Sequence, residues 1–139
     1  MTAVVNKKFI KDNLLGERVA LIGGAGFIGH NLASHLRQYG TDVMIMDNLM
    51  QNNVTANITA SNIDPFRREL NHGFFSQRFE IMRDAGIVMR NADARSTIDV
   101  TAALSEFEPT KIVHLAAISS AIEANNDPGQ CFDLQLLTL

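Results

Sequence analysis

Seven consecutive residues, Gly23-Gly24-Ala25-Gly26-Phe27-Ile28-Gly29, stand between an apolar run and the start of a helical pattern. Glycine is needed where a chain turns tightly after a strand, where a pyrophosphate must approach the backbone, and where a helix packs closely against a sheet. The first amides of the following helix would then point at an anion, and the helix dipole favours negative charge there. Glycines also serve ordinary turns, so a purely structural reading stays open. A second residue bears on the choice. Asp47 closes the next apolar run, and a carboxylate there can accept both hydroxyls of an adenosine ribose. Its plain alternative is a solvated turn aspartate capping the loop at Asn48. Taken together, the glycines and Asp47 suit a dinucleotide of the NAD type.

Other reactive groups are sparse. Cys131 is the single cysteine, which excludes an internal disulfide, and the four histidines have no cysteine partners at zinc-like spacing. His30 and His35 do not share a helix face, and no metal site is expected. Twelve Lys+Arg against 15 Asp+Glu leave a net charge of −3. Lys7-Lys8 and Arg67-Arg68 are the adjacent basic pairs, which is no basic stripe for nucleic acid.

These groups need elements to hold them. A chain of 139 residues with 46% hydrophobic content and 3 Pro describes one compact domain over residues 1–139. Its longest apolar stretch, Val19 to Gly29, falls well short of the roughly 20 residues that cross a bilayer. The N-terminus lacks the order of a secretory signal, so a cytoplasmic protein without membrane partners is expected. Residues 18–22 read as a strand buried on both faces of a parallel sheet. From Phe27, the recurrence of Ile28, Leu32, Leu36 and Tyr39 predicts a helix with that face inward, closed by Gly40. Val43–Met46, Ile87–Met89 and Ile112–Leu115 read as three more buried strands. Ser96 to Asp99 is a capping-box-like helix start, and that helix stops before Pro109. The 51–85 segment exceeds one crossover and is expected to be a helical insertion. In it Asp64-Pro65 marks an N-cap, Phe75, Phe79 and Met82 carry helical period, and 52–62 is a loop expected to be mobile. Asp127-Pro128 opens a last helix. Alternating strands and helices specify an α/β fold: a Rossmann-type parallel sheet with helices on both faces, partial, with about four strands.

With Gly23, Gly26 and Gly29 in Gly-x-x-Gly-x-x-Gly register, followed by Asp47-Asn48, residues 18–139 resemble the extended short-chain dehydrogenase/reductases, in particular the NAD-dependent epimerase/dehydratase group. Asn91-Ala92-Asp93-Ala94-Arg95 is similar to that family's Gly-Asp-(Ile/Val)-Arg stretch. Val113-His114-Leu115-Ala116-Ala117 is similar to its Val-x-His-Leu-Ala-Ala stretch. The resemblance implies NAD as cofactor, held by Gly23, Gly26, Phe27, Ile28, Gly29, Asp47, Asn48, Asp93, Ala94, Leu115, Ala116 and Ala117. It implies that Asp93 and the backbone after it hold adenine, while Leu115 to Ala117 line the nicotinamide ribose. It also makes His114 a packing or hydrogen-bonded residue. Ser119 and Ser120, at the carboxyl edge where parallel sheets bind ligands, are candidates for contact with cofactor or substrate. Cys131 reads as a buried helix residue.

The family's catalysis rests on a Tyr-x-x-x-Lys pair, and no such pair occurs in these residues. The only tyrosine, Tyr39, is followed four residues later by Val43, so no catalytic residue is assigned. Three readings stay open: the NAD-binding portion of a nucleotide-sugar epimerase/dehydratase truncated before its catalytic half, a stand-alone dinucleotide-binding module without catalysis, and a fragment without function. In the first, the full-length parent would take a nucleotide sugar. An uncovered fourth strand would favour self-association. NAD is expected to beat NADP by about tenfold or more, because Asp47 repels a 2′-phosphate and no arginine stands at positions 48 to 54.

Overall fold

The computed structural model describes residues 7–50, 64–118 and 121–136; the predicted loop at 52–62 and the pair Ser119-Ser120 lie outside them. In chain order the elements are α1 (Lys7–Leu14), β1 (Arg18–Ile22), α2 (Phe27–Gln38), β2 (Asp42–Asp47) and α3 (Pro65–Asp84), then β3 (Val88–Asn91), α4 (Thr97–Phe107), β4 (Lys111–His114), α5 (Ala121–Asn126) and α6 (Pro128–Leu136). The four strands form one parallel sheet in the order β3-β2-β1-β4. This is the expected α/β Rossmann-like sheet.

Strand alternation builds a core on each face. Val19, Leu21, Val43 and Ile45 point to one side, where Ala33 and Leu36 of α2 and Met82 of α3 cover them. Ala20, Ile22, Met44 and Met46 point to the other, under Ala103 and Phe107 of α4. The chain therefore winds outward from β1 to β3 with α2 and α3 on one face, then crosses back to β4 with α4 on the other. The direction reverses between β1 and β4, and the crevice at the carboxyl ends of these strands is where such sheets bind ligands.

The helix signals act locally. Asp64 caps α3 by accepting from the Arg67 amide at 3.1 Å, with Pro65 in the first turn. Ser96 caps α4 through the Asp99 amide at 3.3 Å, and Glu108 ends it in a left-handed conformation just before Pro109. Asp127 accepts from the Gln130 amide at 2.9 Å at the start of α6, on which Cys131 is partly buried. Two short helices, α1 and α5, carried no signal strong enough to be expected.

Three expectations need correction. Ile28 does not face the core: it is 69% exposed, and α2 buries Gly29, Ala33 and Leu36 instead. The cause is Gly29. A Cβ there would lie 2.2 Å from the Gly24 carbonyl oxygen, so only a glycine lets the helix sit this close, and that contact sets its rotation. Ile112 is not buried: β4 is an edge of the described sheet, and its side chain is 52% exposed. Val88, on the opposite edge, is likewise exposed. No helix among the described residues is long and apolar enough to cross a membrane.

Candidate functional site

Each strand delivers a different group to the carboxyl edge of the sheet. The turn after β1 is shaped by four glycines with four distinct duties. Gly23 adopts a positive φ of 74°, donates its amide to the Met46 carbonyl at 2.7 Å, and lies so close to the segment after β4 that a Cβ would stand 2.4 Å from the Ala116 nitrogen. Gly24, which the family register leaves out, is buried against Leu21 and Ile45. Gly29 packs on the Gly24 backbone. Gly26 differs from all of them, because an added Cβ would meet nothing within 4 Å.

Gly26 is the N-cap of α2, and it has no side chain to occupy the amides of the first turn. That turn holds no acidic residue, and Phe27 and Ile28 are exposed at its mouth. Helix-start amides lack intrahelical acceptors. This end is thus an open set of donors beside an open space, the arrangement that accepts a phosphate. His30 steadies it: its Nδ1 lies 2.8 Å from the Gly26 carbonyl oxygen, which can only accept, so Nδ1 carries the proton.

The end of β2 supplies Asp47. Its Oδ2 accepts from the Ala25 amide at 2.9 Å and its Oδ1 from the Leu49 amide at 2.8 Å. Asp47 therefore ties the glycine loop to the loop after β2. A carboxylate has about four lone-pair sites, so two of them remain for a ligand's hydroxyls. The Leu49 contact is the turn cap of the plain reading, and the Ala25 contact adds a tie to the glycine loop that this reading does not include.

The end of β3 supplies Asp93, and its position is more crowded. The Arg95 amide and Nε donate to Oδ1 at 2.9 and 3.0 Å. Arg95 Nη2 donates to Oδ2 at 2.6 Å, and Asn48 Nδ2 to the same oxygen at 3.3 Å. Four donors fill the four sites. The Arg95 guanidinium holds the Asp93 carboxyl down at about 2, against the upward pull of burial. Asn48 is thereby joined to Asp93, linking the loop after β2 to the loop after β3. Ala94 follows, packed on the α4-side core.

After β4, the Leu115 amide donates to the Ile22 carbonyl at 2.7 Å, extending the sheet pairing by one residue. Ala116 then packs beneath Gly23, Ala117 is exposed, and Ile118 is buried. His114 packs at the last position of β4, and its Nε2 is buried with no hydrogen-bond partner among the described residues. No group of three or more metal-ligating side chains occurs among the described residues.

One group had no motif to announce it. Arg78 of α3 reaches back to the glycine loop and donates from Nη1 to the Ala25 carbonyl at 2.9 Å. Burial lowers its pKa and the negative charge of Asp47 raises it. It lies in the insertion, within the stretch whose helical period was read from Phe75, Phe79 and Met82, and its phase with Phe75 and Met82 was the signal that could have placed it on the sheet side.

Comparison with known proteins agrees with this geometry. Residues 19–138 match the model of the NAD dependent epimerase/dehydratase family. The chain is 28% identical over 120 residues to the CDP-paratose 2-epimerase of Salmonella typhi, covering 86% of this chain and 29% of that protein. Among solved structures it is similar to the UDP-glucose-4-epimerase of Stenotrophomonas maltophila, solved with bound NAD and formylated UDP-arabinopyranose: 27% identity, 88% of this chain, 31% of that one, TM-score 0.62. The NAD complex of the Thermus thermophilus UDP-glucose 4-epimerase gives 29% identity, 87% and 30% coverage, and a TM-score of 0.59. The chain thus spans about three-tenths of the length of the relatives it matches.

Proposed function

Because the chain belongs to the NAD-dependent epimerase/dehydratase family, we propose that it forms the NAD-holding portion of a nucleotide-sugar epimerase or dehydratase. The observation that carries this reading is the opening at Gly26, which faces empty space at an uncapped helix start while the neighbouring glycines are packed shut. The residues present fit the cofactor. The first amides of α2 would receive the pyrophosphate, with Phe27 and Ile28 flanking it. Asp47 would take the adenosine ribose hydroxyls on its two remaining lone-pair sites. Asn48, Asp93 and the Ala94 amide would border the adenine, and Leu115, Ala116 and Ala117 the nicotinamide ribose. When bound, the nicotinamide supplies reversible hydride uptake. The chain's own residues bind and orient.

The part played by these residues is binding without turnover. Proton transfer in the family rests on Tyr-x-x-x-Lys, whereas Tyr39 sits at the C-terminal end of α2 with Val43 four positions later. Proton-transferring groups contribute on the order of 10²- to 10⁴-fold in rate. Whether the unit acts alone or within a longer parent, its chemistry here is to hold a dinucleotide.

Calorimetric titration with NAD tests the reading. Saturable one-to-one binding is expected, weakened roughly tenfold or more by Asp47→Ala, which removes a charge-assisted hydrogen bond of about 1.5–3 kcal/mol. Absence of binding by a folded wild-type chain would refute the assignment.

A further inference from the structure

Both peptide groups that meet at Ala25, inside the glycine loop, are held from distant parts of the fold. Asp47, at the end of β2, accepts from the Ala25 amide at 2.9 Å. Arg78 of α3 donates from Nη1 to the Ala25 carbonyl, also at 2.9 Å. A trans peptide is planar, so its N–H and its carbonyl point in opposite directions. The first peptide shows the effect: with its N–H on Asp47, its Gly24 carbonyl leaves toward α2, where a Cβ on Gly29 would lie 2.2 Å from the oxygen. In the second, Arg78 draws the Ala25 carbonyl toward α3, and the Gly26 N–H turns away.

Without Arg78 this second peptide has little to fix it. Reversing it rotates ψ of Ala25 and φ of Gly26 together, and Gly26 can take the positive φ that results because it has no Cβ. Its φ is −71° here and its surroundings are open, an added Cβ meeting nothing within 4 Å. Arg78 itself is fixed. Its guanidinium lies over the Phe75 ring, 5.6 Å from the centroid, on a helix whose Met82 is buried in the core. The guanidinium also stays clear of the opening at Gly26, since none of its atoms comes within 4 Å of that Cβ position.

We propose that Arg78 is a positioning residue for dinucleotide binding: by holding the Ala25 carbonyl toward α3 it locks the Ala25–Gly26 peptide in the orientation that keeps this oxygen out of the pyrophosphate space. The inference rests on the reading above, in which the pyrophosphate lies at the start of α2. A reversed peptide would turn an acceptor oxygen toward a site that must receive an anion. Arg78 acts through the loop and makes no contact with the cofactor.

The test titrates NAD and adenosine into the wild type, Arg78→Leu and Arg78→Lys, with melting curves confirming that each is folded. Adenosine carries the base and ribose without phosphate; leucine removes the donor and lysine restores one. If the competent orientation falls from nearly all molecules to between a third and a tenth of them, the NAD Kd of Arg78→Leu rises about three- to tenfold. Arg78→Lys should recover part of that loss, and adenosine should bind all three within about twofold. Because the effect is geometric, the ratio of wild-type to Arg78→Leu affinity for NAD should not change with ionic strength. In ¹⁵N spectra without ligand, the Gly26 amide, bonded to the Ala25 carbonyl carbon, should shift in Arg78→Leu and return toward the wild-type position in Arg78→Lys. An unchanged Gly26 resonance, an unchanged NAD affinity, an equal loss for adenosine, or a ratio that shrinks with salt overturns the proposal while leaving NAD binding in place. A folded wild type that does not bind NAD overturns both readings.

Discussion

Replacing Gly26 and Gly29 separately by alanine should split binding from stability. Gly26 has φ −71° and ψ −178°, a conformation open to any residue, and its missing Cβ points into empty space. Alanine there narrows the unfolded ensemble, stabilising by about 0.4–1 kcal/mol, and is a poorer N-cap than glycine by a comparable amount. The two effects offset, so Gly26→Ala should melt within a few degrees of the wild type. Its methyl group enters the space assigned to the pyrophosphate. Forced overpacking costs about 1–3 kcal/mol, so NAD affinity should fall roughly 5- to 150-fold. Gly29→Ala behaves in the opposite way. Its Cβ would stand 2.2 Å from the Gly24 carbonyl oxygen and 2.5 Å from the Gly24 Cα, both backbone atoms that cannot rotate aside. The helix or the loop must move, at the upper end of the same range. About 3 kcal/mol corresponds to a fall in Tm on the order of 10 °C. Circular-dichroism melts and NAD titrations on the two variants measure both quantities. If Gly26→Ala binds NAD like the wild type, or melts as low as Gly29→Ala, the division of labour among the glycines is wrong.

Other consequences can be checked directly. Asp93 has its pKa depressed to about 2 by Arg95, so the stability from this pair is complete above the ordinary aspartate value of 3.8 and is lost as pH falls toward about 2. Arg95→Ala should therefore lower the unfolding free energy measured with urea at pH 7 by roughly 1 kcal/mol or less for a pair this open to solvent, with a difference that closes near pH 2. The β4 edge, beside which no further strand is paired among the described residues and on which Ile112 is 52% exposed, should drive self-association in sedimentation, and Ile112→Lys should shift the distribution toward monomer; a wild type that is monodisperse and monomeric at high concentration would sink this. The 139-residue polypeptide incubated with UDP-sugars and NAD should yield no epimerised or dehydrated sugar by chromatography, and product formation proportional to protein would overturn the assignment of binding without turnover.

Much of the framework was legible because its signals are short-range. A short apolar run, Val19–Ile22, closed by glycines marked the strand β1, Arg18–Ile22. The caps at Asp64, Ser96 and Asp127 were readable because a side chain two or three residues from the amide it accepts is a local event. The face of α2 was misread for a related reason. Ile28 continues the apolar period with Leu32 and Leu36, but helix rotation is set where the helix touches its neighbour, and that contact is the bare backbone of Gly24 against Gly29. Periodicity counts hydrophobic side chains and cannot register a contact made by the absence of one.

By itself, then, the sequence determined the parallel sheet, the glycine loop and the carboxylate at the end of β2, since turn chemistry, strand burial and helix starts are encoded within a few neighbouring residues. Tertiary structure alone decided which strands are edges, how full the Asp93 carboxylate is, and which cation holds the glycine loop. Arg78 is 53 residues from the Ala25 carbonyl it binds. A long side chain on a helix can meet any group that packing brings within its reach, and only the docking of α3 on the sheet brings the glycine loop there.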